Sequence, residues 1–215
     1  MSPKYPPRLW RRLGWRAPAL LWGKGCKEFM GSPGVAIVGS RELNEEEEEF
    51  AEAVGMICAR LGFKVVSGGA RGADQSGSQG CVEAGGFAVH FLPGGKSEDG
   101  VCGHGLLTID PAEGVFDRVL ALQRNRWIYS SSEAGVVVSS RFKAGGAWSG
   151  AMEALRGRLC PLLVYTGRGS SEGNKALSRL GAHGVSCVDE VEGFLRRLRI
   201  SGSSSLGNLL LPFIR

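Results

Sequence analysis

Residues 65–74 read Val65-Val66-Ser67-Gly68-Gly69-Ala70-Arg71-Gly72-Ala73-Asp74. A β-branched run feeds three glycines and an arginine, then an acidic residue able to open a helix. The order is strand, loop, helix. Glycine backbones let successive N–H groups turn toward one point, and a following helix N-terminus adds partial positive charge. Arg71 brings a planar fork of donors that suits a phosphate. On these residues alone two readings stand: an anion cradle, and a tight βα turn whose glycines serve sheet packing.

The same alternation extends in both directions. Val35–Val38 is a short apolar run closing on Gly39-Ser40-Arg41, as a buried parallel strand does. Asn44 is placed to cap a helix whose first turn, within Glu45–Glu49, complements the helix dipole. Phe50, Val54, Ile57, Cys58 and Leu61 then recur at helical spacing. The acidic run therefore reads as a solvated helix start rather than a metal site. Further strands are expected at 63–67, 87–92, 134–139, 162–165 and 185–188, and helices at 74–84, 118–130, 147–156, 174–180 and 189–199. Residues 93–110 read as a loop, 1–30 as a basic extension packed on the core and hard to place in regular structure, 31–200 as one domain, and 201–215 as a flexible tail. Apolar runs joined by helical crossovers predict an α/β fold: a mostly parallel sheet with helices on both faces.

A chain of 215 residues suffices for one sizeable α/β domain. Its 34 glycines are about double the usual share of roughly 7% and cluster at strand ends, which favours a turn-rich, ligand-binding sheet. The net charge of +5 is compatible with a nucleic-acid partner without requiring one. Six cysteines contain no Cys-x-x-Cys pair and read as reduced core residues of a cytoplasmic protein. Cys102 and His104 lack further ligands at plausible spacing, so no metal is assigned, and no cofactor. No run approaches the ~18 apolar residues of a membrane span, and Arg16 and Pro18 interrupt any secretory leader within Trp10–Leu21.

In such a sheet, ligands gather beyond the carboxyl ends of the strands. The loops 39–41, 68–74, 94–96 and 139–149 fall there and contribute Ser40, Arg41, Ser67, Arg71, Lys96, Arg141 and Lys143. This basic, hydroxyl-rich rim suits phosphate. The first βα turn lacks Gly-x-Gly-x-x-Gly, and neither a Walker A loop nor a nucleophile elbow occurs. His90, His104 and His183 show no acid or nucleophile partner, so no catalytic residue is assigned. Asp74 is expected to cap its helix and orient Arg71. Trp127 and Trp148 read as core aromatics before base-stacking ones.

Ile37-Val38-Gly39-Ser40-Arg41, then Ser67 to Asp74, then Arg124-Asn125-Arg126 follow in an order and spacing that resembles the DNA-processing protein A (DprA/Smf) family. Tyr5-Pro6-x-x-Leu9 and Pro18-x-Leu20-Leu21-Trp22-x-x-Gly25 resemble that family's lead-in to its first strand. Val136-Val137-Val138, Ala144-Gly145-Gly146 and Gly157-Arg158 resemble its later strand, Ser-Gly loop and Gly-Arg turn. Ala144-Gly145 stands where the family usually has Ser-Gly, and Ser149-Gly150 where it has Thr-Ala. The resemblance implies an extended Rossmann-like domain that binds single-stranded DNA and helps load a RecA-type recombinase, often as a homodimer. The winged helix common in the family is not expected within the stretch after residue 200.

By the same resemblance Ser40, Arg41, Gly68, Gly69, Arg71 and Asn125 line a phosphate pocket. Ser67, Lys143 and Arg141 join them by charge and position, and Gly39, Gly72 and Asp74 support the loop. In this company the 68–74 loop is read as a cradle. A competing reading is an enzyme of the lysine-decarboxylase-like (LOG) group, a nucleoside monophosphate phosphoribohydrolase. Residues 144–153 imitate its Pro-Gly-Gly-x-Gly-Thr-x-x-Glu motif, but Glu153 falls one residue late, a rotation of about 100° on a helix. A nucleotide-sensing module without catalysis would use the same pocket.

Overall fold

Along strand β2 (Gly34–Val38), Val35 and Ile37 pack to one side and Ala36 and Val38 to the other, all buried. A strand apolar on both faces must be covered on both. The computed structural model describes residues 5–25, 32–92, 105–108 and 118–202 and supplies that cover. Helices α2 (Glu45–Arg60), α3 (Ala73–Glu83) and α7 (Val188–Gly202) pack over the Val35 face. Helices α1 (Pro7–Leu13), α4 (Arg118–Ser131), α5 (Gly145–Gly157) and α6 (Glu172–Arg179) pack over the other.

Among the described residues the remaining strands are β1 (Trp22–Gly25), β3 (Lys64–Ser67), β4 (Ala88–Phe91), β5 (Gly105–Thr108), β6 (Ala134–Val137), β7 (Leu162–Tyr165) and β8 (His183–Val185). They form one sheet in the order β1-β5-β4-β3-β2-β6-β7-β8. Every pairing is parallel except that of β1 with β5. From β2 the chain winds outward through β3, β4 and β5. It then returns to the opposite side of β2 and continues through β6, β7 and β8. The direction reverses between β2 and β6, where Val38 partners Val137. At such a reversal the loops leave toward opposite faces and open a crevice at the carboxyl ends.

Local chemistry fixes the elements around that crevice. Asn44 caps α2 in a reciprocal box: its side chain accepts the Glu47 amide at 2.9 Å, and the Glu47 carboxylate accepts the Asn44 amide. Asn174, fully buried at the start of α6, closes the ends of two strands. Its amide nitrogen reaches the carbonyl oxygens of Val137, Val138 and Tyr165 at 2.9, 2.9 and 3.0 Å. Its carbonyl accepts the Ser140 hydroxyl at 2.8 Å. The Ser171 hydroxyl caps α6 and also accepts the Ser140 amide at 3.1 Å. These bonds hold the segment leaving β6 in one position.

Three sequence expectations need correction. Residues 1–30 are not without regular structure: they include α1, a 3₁₀ turn (Gly14–Arg16) and β1. Pro7 begins α1, and Leu9 and Leu13, one turn apart, are buried against the sheet. The last strand ends at Val185 rather than running from 185 to 188, and Val188 already belongs to α7. The expected loop 93–110 contains β5. Lys96, Cys102 and His104 lie outside the described residues, as does 203–215 of the expected tail. The described residues contain no helix long and apolar enough to cross a membrane.

At the amino ends of the strands a charged cluster joins α1 to the sheet. Arg8 bridges Glu133, and Arg12 donates to the carbonyls of Tyr129, Ser130 and Ser132 at the end of α4. Lys64 is buried beside them; burial, helped by Arg8 and opposed by Glu133, lowers its ammonium to about 8. The folded chain thus releases this proton before the unfolded chain does. Its stability contribution is complete above the ordinary lysine value and is lost as pH falls through about 8. Lys64→Met, which keeps the packed stem, is expected to be more stable than wild type at pH 7 by on the order of 3 kcal/mol. The advantage should shrink steadily between pH 8 and 10.5 in paired urea titrations; an advantage independent of pH would refute the assignment.

Candidate nucleic-acid interface

A cavity of about 460 Å³ occupies the switch point between the ends of β2 and β6. Gly39, Ser40 and Arg41 form one wall, Ala70 and Asp74 a second, Arg124 and Asn125 a third, and Ser140, Arg141, residues 144–147 and Ser149 the fourth. Gly72, at φ +79°, lets two of these loops meet: an added Cβ would lie 2.3 Å from the Ser40 carbonyl oxygen. There the Ala73 amide donates to that oxygen at 3.2 Å.

The 68–74 loop uses its amides on the chain's own carboxylate. Asp74, buried, accepts the Gly68 amide at 2.8 Å and the amides of Ala70 and Gly39 as well. Gly72, not Asp74, is the N-cap of α3, which corrects the expected capping role. Burial pushes the Asp74 carboxyl up, while Arg124 and the three amides pull the other way. The Arg124 guanidinium donates to the Phe91 carbonyl at 3.1 Å and packs so close to Gly68 that an added Cβ would sit 1.5 Å from it. A side chain at position 68 would displace the Arg124 guanidinium.

The other expected residues fall in distinct places. Ser67 is buried below the loop, its hydroxyl 2.7 Å from His90 Nδ1 and accepting the Gly69 amide at 3.2 Å. None of Ser67, Gly68 and Gly69 lines the cavity, and Arg71 is exposed outside it. Asn125 lines it and ties α4 to α5 by donating to the Gly146 carbonyl at 3.1 Å. Lys143 lies in a tight turn closed by the Ala144 amide on the Arg141 carbonyl, in the left-handed region at φ +54°. That turn leaves Arg141 on the first cavity and Lys143 on a second. Trp127 and Trp148 are buried, as expected of core aromatics.

What converges on the crevice in place of the glycine loop is the start of α5. Ala144, its N-cap, offers no side-chain bond, and Gly145, Gly146 and Ala147 of the first turn line the cavity. A helix start without a capping side chain presents amide donors and partial positive charge to an anion. Arg41, Arg124 and Arg141 line the same space. Tyr129 lines it too, with a buried hydroxyl that has no hydrogen-bond partner among the described residues. Arg124 and Tyr129 were not assigned to the site from sequence, and the 139–149 segment was placed there without its helix start being read as an anion donor. Gly145-Gly146 ahead of an amphipathic run was the available signal for the last.

Glu153 lies on the second cavity, bridged by Arg126. It does not line the switch-point crevice.

A family model described as DNA recombination-mediator protein A matches residues 1–198. The chain belongs to that family. The putative DNA processing protein DprA of Mycobacterium tuberculosis is 28% identical over 193 residues, covering 83% of this chain and 50% of the relative. The chain thus spans about half the length of the curated relatives it matches. Among solved structures, DprA from Streptococcus pneumoniae superposes with a TM-score of 0.78 at 22% identity, covering 88% of this chain and 70% of that one. DprA from Helicobacter pylori, described for its single-stranded DNA binding mode, gives 0.74 at 20% identity, covering 84% and 88%. The molybdenum cofactor carrier protein of Chlamydomonas reinhardtii shares the fold at 0.58 and 21% identity, over 78% and 99%. The fold is therefore the α/β, Rossmann-like sheet of these proteins, with the crevice at its switch point.

Proposed function

We propose that this chain binds single-stranded DNA and holds a backbone phosphate in the switch-point crevice, without catalysis. The observation that carries the reading is the convergence of the open α5 start with Arg41, Arg124 and Arg141 on one cavity. Backbone amides and guanidinium forks recognise phosphate oxygens without regard to base. The Helicobacter pylori relative, described as binding single-stranded DNA, supports a strand as the ligand. So do Arg71 and Lys143, which carry positive charge beyond the cavity. A RecA-type recombinase, a second copy of the chain and a cytoplasmic setting enter this reading through family membership alone.

Fluorescence anisotropy with labelled oligo-dT, competed by AMP, tests it. Oligo-dT should bind more tightly, and its affinity should fall with salt at a log–log slope of about −2 if three phosphates are neutralised. Tighter binding of AMP, or release of ribose phosphate from it, would overturn the proposal in favour of a nucleotide-directed site.

A further inference from the structure

We infer that the Tyr129 hydroxyl donates to an oxygen of the phosphate held in the switch-point crevice, an uncharged contact added to those of the arginines. The inference rests on the phosphate reading above. Asn125 and Tyr129 lie one turn apart on α4, and both line the cavity. Side chains on a helix lean toward its N-terminus, and the earlier of these two turns is the one that walls the crevice with Arg124 and Asn125. The Tyr129 side chain is thereby directed toward the crevice. Gly135 on β6 makes room for its ring: an added Cβ would lie 2.8 Å from Tyr129 Cε1. Tyr129 is 1% exposed, so its hydroxyl is shielded from bulk water.

A buried hydroxyl without a partner costs stability that a phenylalanine in its place would not. No described residue accepts from this one. The Asp74 carboxylate on the cavity wall is taken by the amides of Gly39, Gly68 and Ala70. The Ser40 carbonyl takes the Ala73 amide, and the Gly146 carbonyl takes the Asn125 side chain. What the cavity presents besides is donors: Arg41, Arg124, Arg141 and the open start of α5. A hydroxyl set among donors is completed by an acceptor from outside, and these particular donors select an anionic oxygen. Burial above all, then Cys160 and Asp74, pushes the Tyr129 hydroxyl well above its ordinary value. It therefore keeps its proton and remains a donor.

The experiment measures oligo-dT binding by anisotropy across a salt series for the full chain, Tyr129→Phe and Arg41→Ala, with thermal melts of each. Tyr129→Phe should weaken binding roughly tenfold at every salt concentration, because an uncharged donor releases no counterion. Arg41→Ala, by contrast, should flatten the log–log slope by about 0.7. Tyr129→Phe should also melt about 2–4 °C higher than wild type, since it removes the orphaned hydroxyl. Three results would overturn the inference. Unaltered or tighter binding would show that the hydroxyl does not reach the ligand. A flattened slope in Tyr129→Phe would mean that the substitution had displaced an arginine. A lowered melting temperature would mean that the free protein already completes the hydroxyl, as through an ordered water. If the unmutated chain preferred AMP, the single-strand reading would fall, and the same comparison read with AMP would still decide the hydroxyl. Binding of neither probe would end both.

Discussion

Asp74→Ala is expected to destabilise the chain by about 3–5 kcal/mol and to abolish strand binding. The carboxylate is buried, accepts amides from Gly39, Gly68 and Ala70, and faces Arg124. Removing it leaves three amides without their acceptor and the Arg124 guanidinium without its opposite charge. Asp74→Asn should fall between, since its carbonyl accepts from some of the amides while its own N–H groups oppose the rest. Urea denaturation followed by circular dichroism measures both variants. A midpoint for Asp74→Ala within error of wild type would show that the loop does not depend on this residue.

The second large effect is on affinity alone. Arg41→Glu combined with Arg141→Glu should weaken oligo-dT binding about a hundredfold or more at low salt, because each reversal turns attraction for the phosphate into repulsion. Both side chains are exposed, so stability should stay within about 0.5 kcal/mol of wild type. Arg71→Glu supplies the contrast. Arg71 stands outside the cavity, and its reversal should cost about threefold, as a distant, screened charge does. Comparable losses for Arg71→Glu and the double variant would move the phosphate site to the 68–74 loop.

How far the sequence could be read depended on burial. β2, β3, β6 and β7 are buried throughout; unbroken apolar runs announced β2, β6 and β7, and the Val65-Val66 pair between Lys64 and Ser67 announced β3. β1 was invisible because each of its four residues is exposed on an edge strand. β8 pairs on one side only and buries Val185 alone, so its boundary slipped by several residues. In α1 the basic residues outweigh the one-turn spacing of Leu9 and Leu13 that drives its packing. The crevice at the strand ends, the candidate site, was legible from glycines and charge. Its inner wiring was not: no local pattern shows that Asp74 folds back six residues to Gly68, or that Asn174 closes β6 from thirty-seven residues away.

The bond between Asp74 and the glycine loop also sets when the entropy of ordering is lost. A phosphate-binding loop whose amides are free must be ordered by its ligand, and affinity falls by that cost. Here the chain's own carboxylate orders the loop as the protein folds, with the Arg124 guanidinium packed against Gly68. Association then needs no rearrangement of this wall. Substitutions that loosen the loop will register first in the melting temperature, and only beyond a threshold in the dissociation constant.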